Sequence, residues 1–153
     1  MLQVKKLLLA VPERFAMTLL IMINQEHFFY FIDDIQARDV VVIDNSGRQD
    51  CTVWGGNLSK IAVLKDIACT LINAIYRDTK KANEVNYPLY AIDNFIRTGK
   101  YFIEVVAVSE PISINGTINK NGHLIADVDG VVVIPDQHIG KTFESCILMK
   151  MKL

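Results

Sequence analysis

The 153-residue sequence has no long apolar run, no closely spaced cysteine pair and no excess of charge of either sign. Each absence excludes a class of function. The apolar stretch "FAMTLLIMI" at 15–23 is far short of the about 20 residues a helix needs to span a bilayer. The start, "MLQVKKLLLAVPER", carries two lysines and an apolar run, but that run is five residues long and stops at Pro12-Glu13-Arg14, too short for the apolar part of a signal peptide. Both read as core segments. Cys51, Cys69 and Cys146 are odd in number and far apart, so neither a disulfide framework nor a structural zinc site is expected, and a reducing cytoplasm is the simplest home. With a net charge of -1 there is no basic surplus to neutralise phosphates. Direct nucleic-acid binding and membrane attachment are therefore not expected.

A linker rich in Pro, Gly or Ser is also missing, so residues 1–153 read as one domain. Hydrophobic residues make up 51% of the chain against 22% charged, which favours a compact globule. Runs rich in Val and Ile recur between polar breaks: "FAMTLLIMI", "DVVVID", "CTLINAI", "YPLYAI", "YFIEVVAV" and "HLIADVDGVVVIP". Several do not alternate with polar residues, as expected of strands buried on both faces. Asp129-Gly130 splits the last run and predicts a hairpin with a type I′ turn. Three stretches carry helical spacing: "EHFFYFIDDIQA", "NLSKIAVLKDIA" and "DQHIGKTFESCILMKM". Strands outnumber helices and the two are interspersed, which predicts a mixed α/β domain of sheet layers covered by helices.

Two stretches carry candidate chemistry. In "WGGNLSKIAVLKD", Gly55 and Gly56 allow close approach of a ligand to the backbone, and a helix starting near Asn57 would offer N–H groups and a positive dipole end to a carboxylate. The plain alternative is an ordinary strand-to-helix turn. In "NAIYRDTKK", Arg77 can grip a carboxylate through two hydrogen bonds, and Asp78 offers the hard oxygen that Mg²⁺ or Mn²⁺ prefers. Here the plain alternative is a solvated strand end. Asp127 and Asp129 are better explained by turn chemistry than by a metal loop, and Ser109 sits in no nucleophile elbow. His27, His123 and His138 lack partners at metal-binding or catalytic spacing. Lys80 and Lys81 read as a solvated edge that adds positive potential beside an anion site.

Twenty residues separate Gly56 from Arg77-Asp78, and this resembles the G-x20-R-D pattern of the RraA-like family. That family includes regulators of ribonuclease E and metal-dependent aldolases acting on 4-hydroxy-4-methyl-2-oxoglutarate; some members were named as demethylmenaquinone methyltransferases. Further segments agree in order. "RFAMTL" resembles the family's G-x-A-x-T-V strand through Ala16 and Thr18, and "RDVVVIDNSG" is similar to its G-D-V-V-V-x-D-x-x-G segment. "VWGGNLSKIA", "YPLYA" and "ADVDGVVVIP" are similar to its W-G-G turn, its P-V-F-A strand and its A-D-x-D-G-V-V-V-V-P hairpin. The likeness covers residues 15 to 138.

The resemblance implies a swivelling β/β/α domain, mixed sheets flanked by helices, that self-associates to a trimer or hexamer with sites in clefts between subunits. It implies that the backbone at Gly56, Asn57 and Leu58 together with Arg77 binds a small 2-oxo acid, that Arg77 acts in catalysis and that Asp78 holds Mg or Mn. The implied reaction is carbon–carbon lysis: class II pyruvate aldol cleavage with oxaloacetate decarboxylase activity. A second implied role is a non-catalytic regulator binding a ribonuclease or helicase, and a third is a degenerate member without either activity. No glycine-rich loop of a methyltransferase cofactor site is present.

This chain also departs from the pattern. Gly56 stands where established aldolases tend to carry an acid, Lys81 where an acid is expected, and Asn73-Ala74 where D-G is usual. Asn121-Gly122-His123 replaces P-G-D, and Ile92 and Asp93 replace an arginine and a glycine. Only fourteen residues precede Phe15, so the domain is expected to be short at its N-terminus.

Overall fold

The computed structural model describes residues 8–10, 30–103, 105, 108, 112–113, 117–118 and 122–150. Their contacts group into two compact units, Arg14–Lys120 and a second that joins Met1–Glu13 to Asn121–Leu153. No helix among the described residues is long and apolar enough to cross a membrane.

The larger unit is built on a parallel sheet. Strands β2 (Val40–Asp44), β3 (Thr52–Trp54), β4 (Cys69–Tyr76) and β5 (Leu89–Asn94) all run the same way, with β4 at the centre. Helix α1 (Gly56–Leu64) carries the chain from β3 to β4, and the short α2 (Thr79–Glu84) carries it from β4 to β5. Parallel neighbours need such crossovers, which cover the sheet and explain why β2 and β4 are nearly all apolar. Val40, Val41, Val42, Ile43 and Ile75 are at most 1% exposed. Burial of each such side chain stabilises the fold by about 1.5–3 kcal/mol. The core continues through Phe31, Ile32 and Ile35 to Trp54, Leu58, Ala62 and Tyr87. A two-stranded ribbon, β6 (Ile112–Ser113) with β7 (Thr117–Ile118), lies later in the same segment.

In the second unit, β1 (Leu8–Ala10), β8 (Gly122–Ala126) and β9 (Val131–Pro135) form an antiparallel sheet in the order β1-β8-β9, followed by α3 (Ile139–Lys150). Leu8–Ala10 was expected only as core; it pairs with β8 from Leu8 opposite Ala126 to Ala10 opposite Leu124.

Four expectations need correction. The predicted helix over 26–37 is, within the described residues, one 3-10 turn at Tyr30–Asp33. Asp39 explains the stop: its carboxylate accepts the Gln36 N–H at 2.9 Å, drawing the backbone into a turn that competes with helix. "YFIEVVAV" is not a strand at Tyr101–Ile103, Val105 or Val108; the Gly99 carbonyl accepts the N–H groups of both Phe102 and Ile103 and closes a turn. The hairpin β8/β9 is present, but its loop is not type I′. Of its loop residues only Gly130 has positive φ, and the Asp127 carboxylate accepts the Asp129 N–H at 2.9 Å. Finally, α2 and β3 form where no separate element is predicted, β3 having been read only as the lead-in to the Gly-Gly turn. The expected strand at 15–23, His27, Ser109 and Asn121 lie outside the described residues.

Cys69 and Tyr87 link this core to pH. Burial pushes the Cys69 thiol up to about 12 from 9.0 and raises the Tyr87 phenol as well. A raised folded-state value means the unfolded chain loses its proton first, so the stabilisation present below pH 9 is lost as pH climbs towards 12. Urea unfolding followed between pH 8 and 11 should show a falling free energy, and Cys69→Ala should flatten that fall by up to about 1.4 kcal/mol per pH unit above pH 9.

Candidate functional site

The two candidate stretches meet because of how a parallel sheet is wound. β3 ends at Trp54 and turns through Gly55 into α1; α1 returns the chain to β4, which lies directly beside β3 and ends at Tyr76. Trp54 and Tyr76 are register partners, and the Arg77 N–H donates to the Trp54 carbonyl at 3.0 Å. Twenty residues are the length of one crossover. Both strand-to-helix turns therefore share the carboxyl edge of the sheet, where ligands of open α/β sheets bind.

Gly55 caps α1 in extended conformation and has no side chain to offer. Asp78 supplies the missing acceptor from the neighbouring turn: its Oδ2 accepts the Gly56 N–H at 3.1 Å. To do so Asp78 adopts a left-handed backbone, φ 60° and ψ 40°, and makes no side-chain cap to its own helix α2. Aspartate tolerates that region better than most residues. The Arg77 Nε lies 3.8 Å from the same Oδ2, and the two side chains are 41% and 38% exposed. Among the described residues the N–H groups of Asn57 and Leu58 have no partner, as the first turn of a helix leaves them. Gly56, Asn57, Leu58, Arg77 and Asp78 are thus brought to one turn, as the resemblance implies. The structural role expected of this pair is visible, since Asp78 caps the start of α1.

The glycines are dictated by packing. A Cβ on Gly55 would lie 3.2 Å from Arg77 Nε and from Asp78 Oδ2; one on Gly56 would lie 2.6 Å from Lys81 Cβ and 2.7 Å from Lys81 Cδ. Beneath the turn, Trp54 is 2% exposed, stacks on Tyr87 at 6.1 Å and donates from Nε1 to Ser59 Oγ at 3.0 Å. Tyr87 in turn shares a 2.8 Å hydrogen bond with Thr70 of β4. Sequence reading missed this support, although a lone tryptophan ahead of two glycines is its signal. Asn73 is placed elsewhere: its Nδ2 donates to Asp44 Oδ1 at 2.8 Å at the end of β2. Asp93 pairs in register with Ile75, and burial followed by the Asp93 charge raises the Tyr76 phenol. Asp127 and Asp129 serve the hairpin turn, and His138 lies ahead of α3, its carbonyl accepting the Thr142 hydroxyl at 2.9 Å.

A model of the Aldolase/RraA family, RraA-like, matches residues 15–133. The chain belongs to the RraA-like family. Over 122 residues it is 34% identical to Protein DlpA of Legionella pneumophila, covering 79% of this chain and 20% of that one. Over 106 residues it is 33% identical to a Paraburkholderia phytofirmans protein provisionally named 4-hydroxy-4-methyl-2-oxoglutarate aldolase, covering 67% of this chain and 62% of that protein. The chain therefore spans a fifth of the first relative and under two thirds of the second. A solved structure from Pseudomonas syringae pv. tomato, described only as an uncharacterized protein, superposes with a TM-score of 0.83 at 27% identity, over 97% of this chain and 68% of that one. The mixed α/β architecture is that of the RraA-like fold.

The divalent metal that the family implies does not fit this donor set. Mg²⁺ and Mn²⁺ take hard oxygen ligands, and at this turn the carboxylate that could supply one is Asp78. Asp78 has Oδ2 already bonded to Gly56 and facing Arg77, and the Lys81 stem fills the space beside Gly56. Two cations beside one carboxylate favour an anion over a cation. Asp78→Ala should cost about 1–2 kcal/mol of stability through the lost cap and the left-handed backbone, and chemical denaturation in EDTA should show the full loss. Were Asp78 only a metal ligand, the loss would vanish once metal is removed.

Proposed function

We propose that the turn binds the carboxylate of a small 2-oxo acid and that the chain acts as a carbon–carbon lyase of the aldolase type. The substrate class is 4-carboxy-2-oxo acids, with 4-hydroxy-4-methyl-2-oxoglutarate and oxaloacetate as its representatives. The observation that carries this reading is the meeting of Arg77 with the first turn of α1, whose Asn57 and Leu58 N–H groups are left to a ligand. A guanidinium fork and two backbone donors match the two oxygens of a carboxylate.

The chemistry follows from charge. When the bond beyond C3 of a 2-oxo acid breaks, its electron pair passes to the keto oxygen as a pyruvate enolate. Donors fixed before the reaction lower that barrier most, because they do not reorganise as charge develops. The backbone of Arg77 is anchored by its bond to Trp54, and its Nε lies 3.8 Å from the Asp78 carboxylate. Asp78 keeps the turn in shape by bonding Gly56. Self-association into a trimer or hexamer belongs to the same reading.

One observation favours a second reading, a non-catalytic regulator that binds a ribonuclease or helicase. Gly56 and Lys81 place no acid at two positions of the turn from which one could move a proton. Pyruvate release from oxaloacetate by the purified protein separates the two. On the lyase reading, turnover exceeds the uncatalysed rate and Arg77→Ala lowers kcat/KM about 10- to 100-fold, the worth of a charge-assisted hydrogen bond. Turnover equal to background in protein and variant alike would leave the regulator reading standing.

A further inference from the structure

Gly56 and Lys81 act as one unit. The Lys81 Cβ and Cδ lie where any side chain at position 56 would go. The Cβ cannot swing away, because α2 fixes it, and the rotamer adopted lays the rest of the stem along the glycine. Its ammonium is two bonds beyond Cδ, close to the turn, and makes no ion pair among the described residues. Arg77 and Asp78 lie against Gly55 on the same turn. The three side-chain charges sum to plus one, and the α1 N-terminus adds partial positive charge.

We propose that the Lys81 ammonium stands in for the divalent cation, so that this site binds 2-oxo acids and their enolate mimics without metal. The proposal rests on the 2-oxo acid reading above. A lysine ammonium is a compact point charge with three donors on a flexible stem, suited to the adjacent carboxylate and keto oxygens of a 2-oxo acid. Gly56 is what lets the lysine stem reach the turn; an acid in its place would collide with the stem and oppose the anion. No covalent step is involved.

Calorimetric titration of the whole chain with oxalate tests this, once in EDTA and once in excess Mg²⁺ at matched free oxalate. The expected result is a Kd unchanged within about twofold between the two, weakened about tenfold by Lys81→Met and largely restored by Lys81→Arg. Binding that needs Mg²⁺, is lost in Arg77→Ala and is indifferent to Lys81→Met overturns the lysine role while leaving the 2-oxo acid reading intact. No oxalate or oxaloacetate binding in either buffer overturns both. Position 81 is exposed, so Lys81→Met and Lys81→Arg should unfold at the wild-type temperature, and a melting curve for each checks that a lost signal is not lost fold.

Discussion

Pairing of β3 with β4 places two turns side by side, and the candidate site exists only because of it. The pairing is irregular: Thr52 faces Ile75, but Trp54 faces Tyr76, so β3 uses one residue more than β4 over the same step. Such a bulge re-aims the end of a strand. Here it brings the Trp54 carbonyl to the Arg77 N–H and the Gly56 N–H to the Asp78 carboxylate. A regular register would offset these partners, and α1 would start with Gly55 as a cap that has nothing to give.

The turn is held from below by Trp54, which touches the parts that must stay aligned. Its ring stacks on Tyr87, just after α2, and its indole N–H bonds Ser59 in α1, while Ser59 Oγ reaches back towards the Gly55 carbonyl at 3.4 Å. Tyr87 is tied to Thr70 on the central strand. These polar atoms are buried and satisfied, which makes the arrangement specific, because a buried donor left without a partner costs about 1–3 kcal/mol. Rigidity beneath and exposure above is the arrangement a small-anion site needs.

Much of this was open to reading in the amino-acid sequence, for identifiable reasons. β2 and β4 are legible because strands buried on both faces are written as runs of apolar residues, β5 because its first half is apolar, and the β8/β9 pair because Asp-Gly marks a turn. Residues 57–64 of α1 are legible from their spacing after two glycines. "EHFFYFIDDIQA" misleads because Phe31, Ile32 and Ile35 are buried by a 3-10 turn that shares the apolar spacing of a helix start, with Asp39 taking the backbone bond that decides between them. "YFIEVVAV" misleads because strand-forming residues also suit a buried loop; Ile103 is 7% exposed without being in a strand. α2 is only six residues long, too short to show periodicity. Gly56, Arg77 and Asp78 are legible as a spacing, whereas the Asp78 cap on Gly56 is not, since it depends on a left-handed backbone that no local pattern announces.

Position by position, Gly56 and Lys81 read as two separate losses of acidic groups. In space they are one change. A side chain at 56 and a lysine stem at 81 compete for the same volume, so the glycine is a steric condition for the lysine. Reverting either alone would be unfavourable: an acid at 56 would meet the Lys81 Cβ, and an acid at 81 would stand beside Asp78 with only Arg77 to balance both. The charge balance at the turn is therefore a property of the pair, and it favours an anion whether or not that anion is then cleaved.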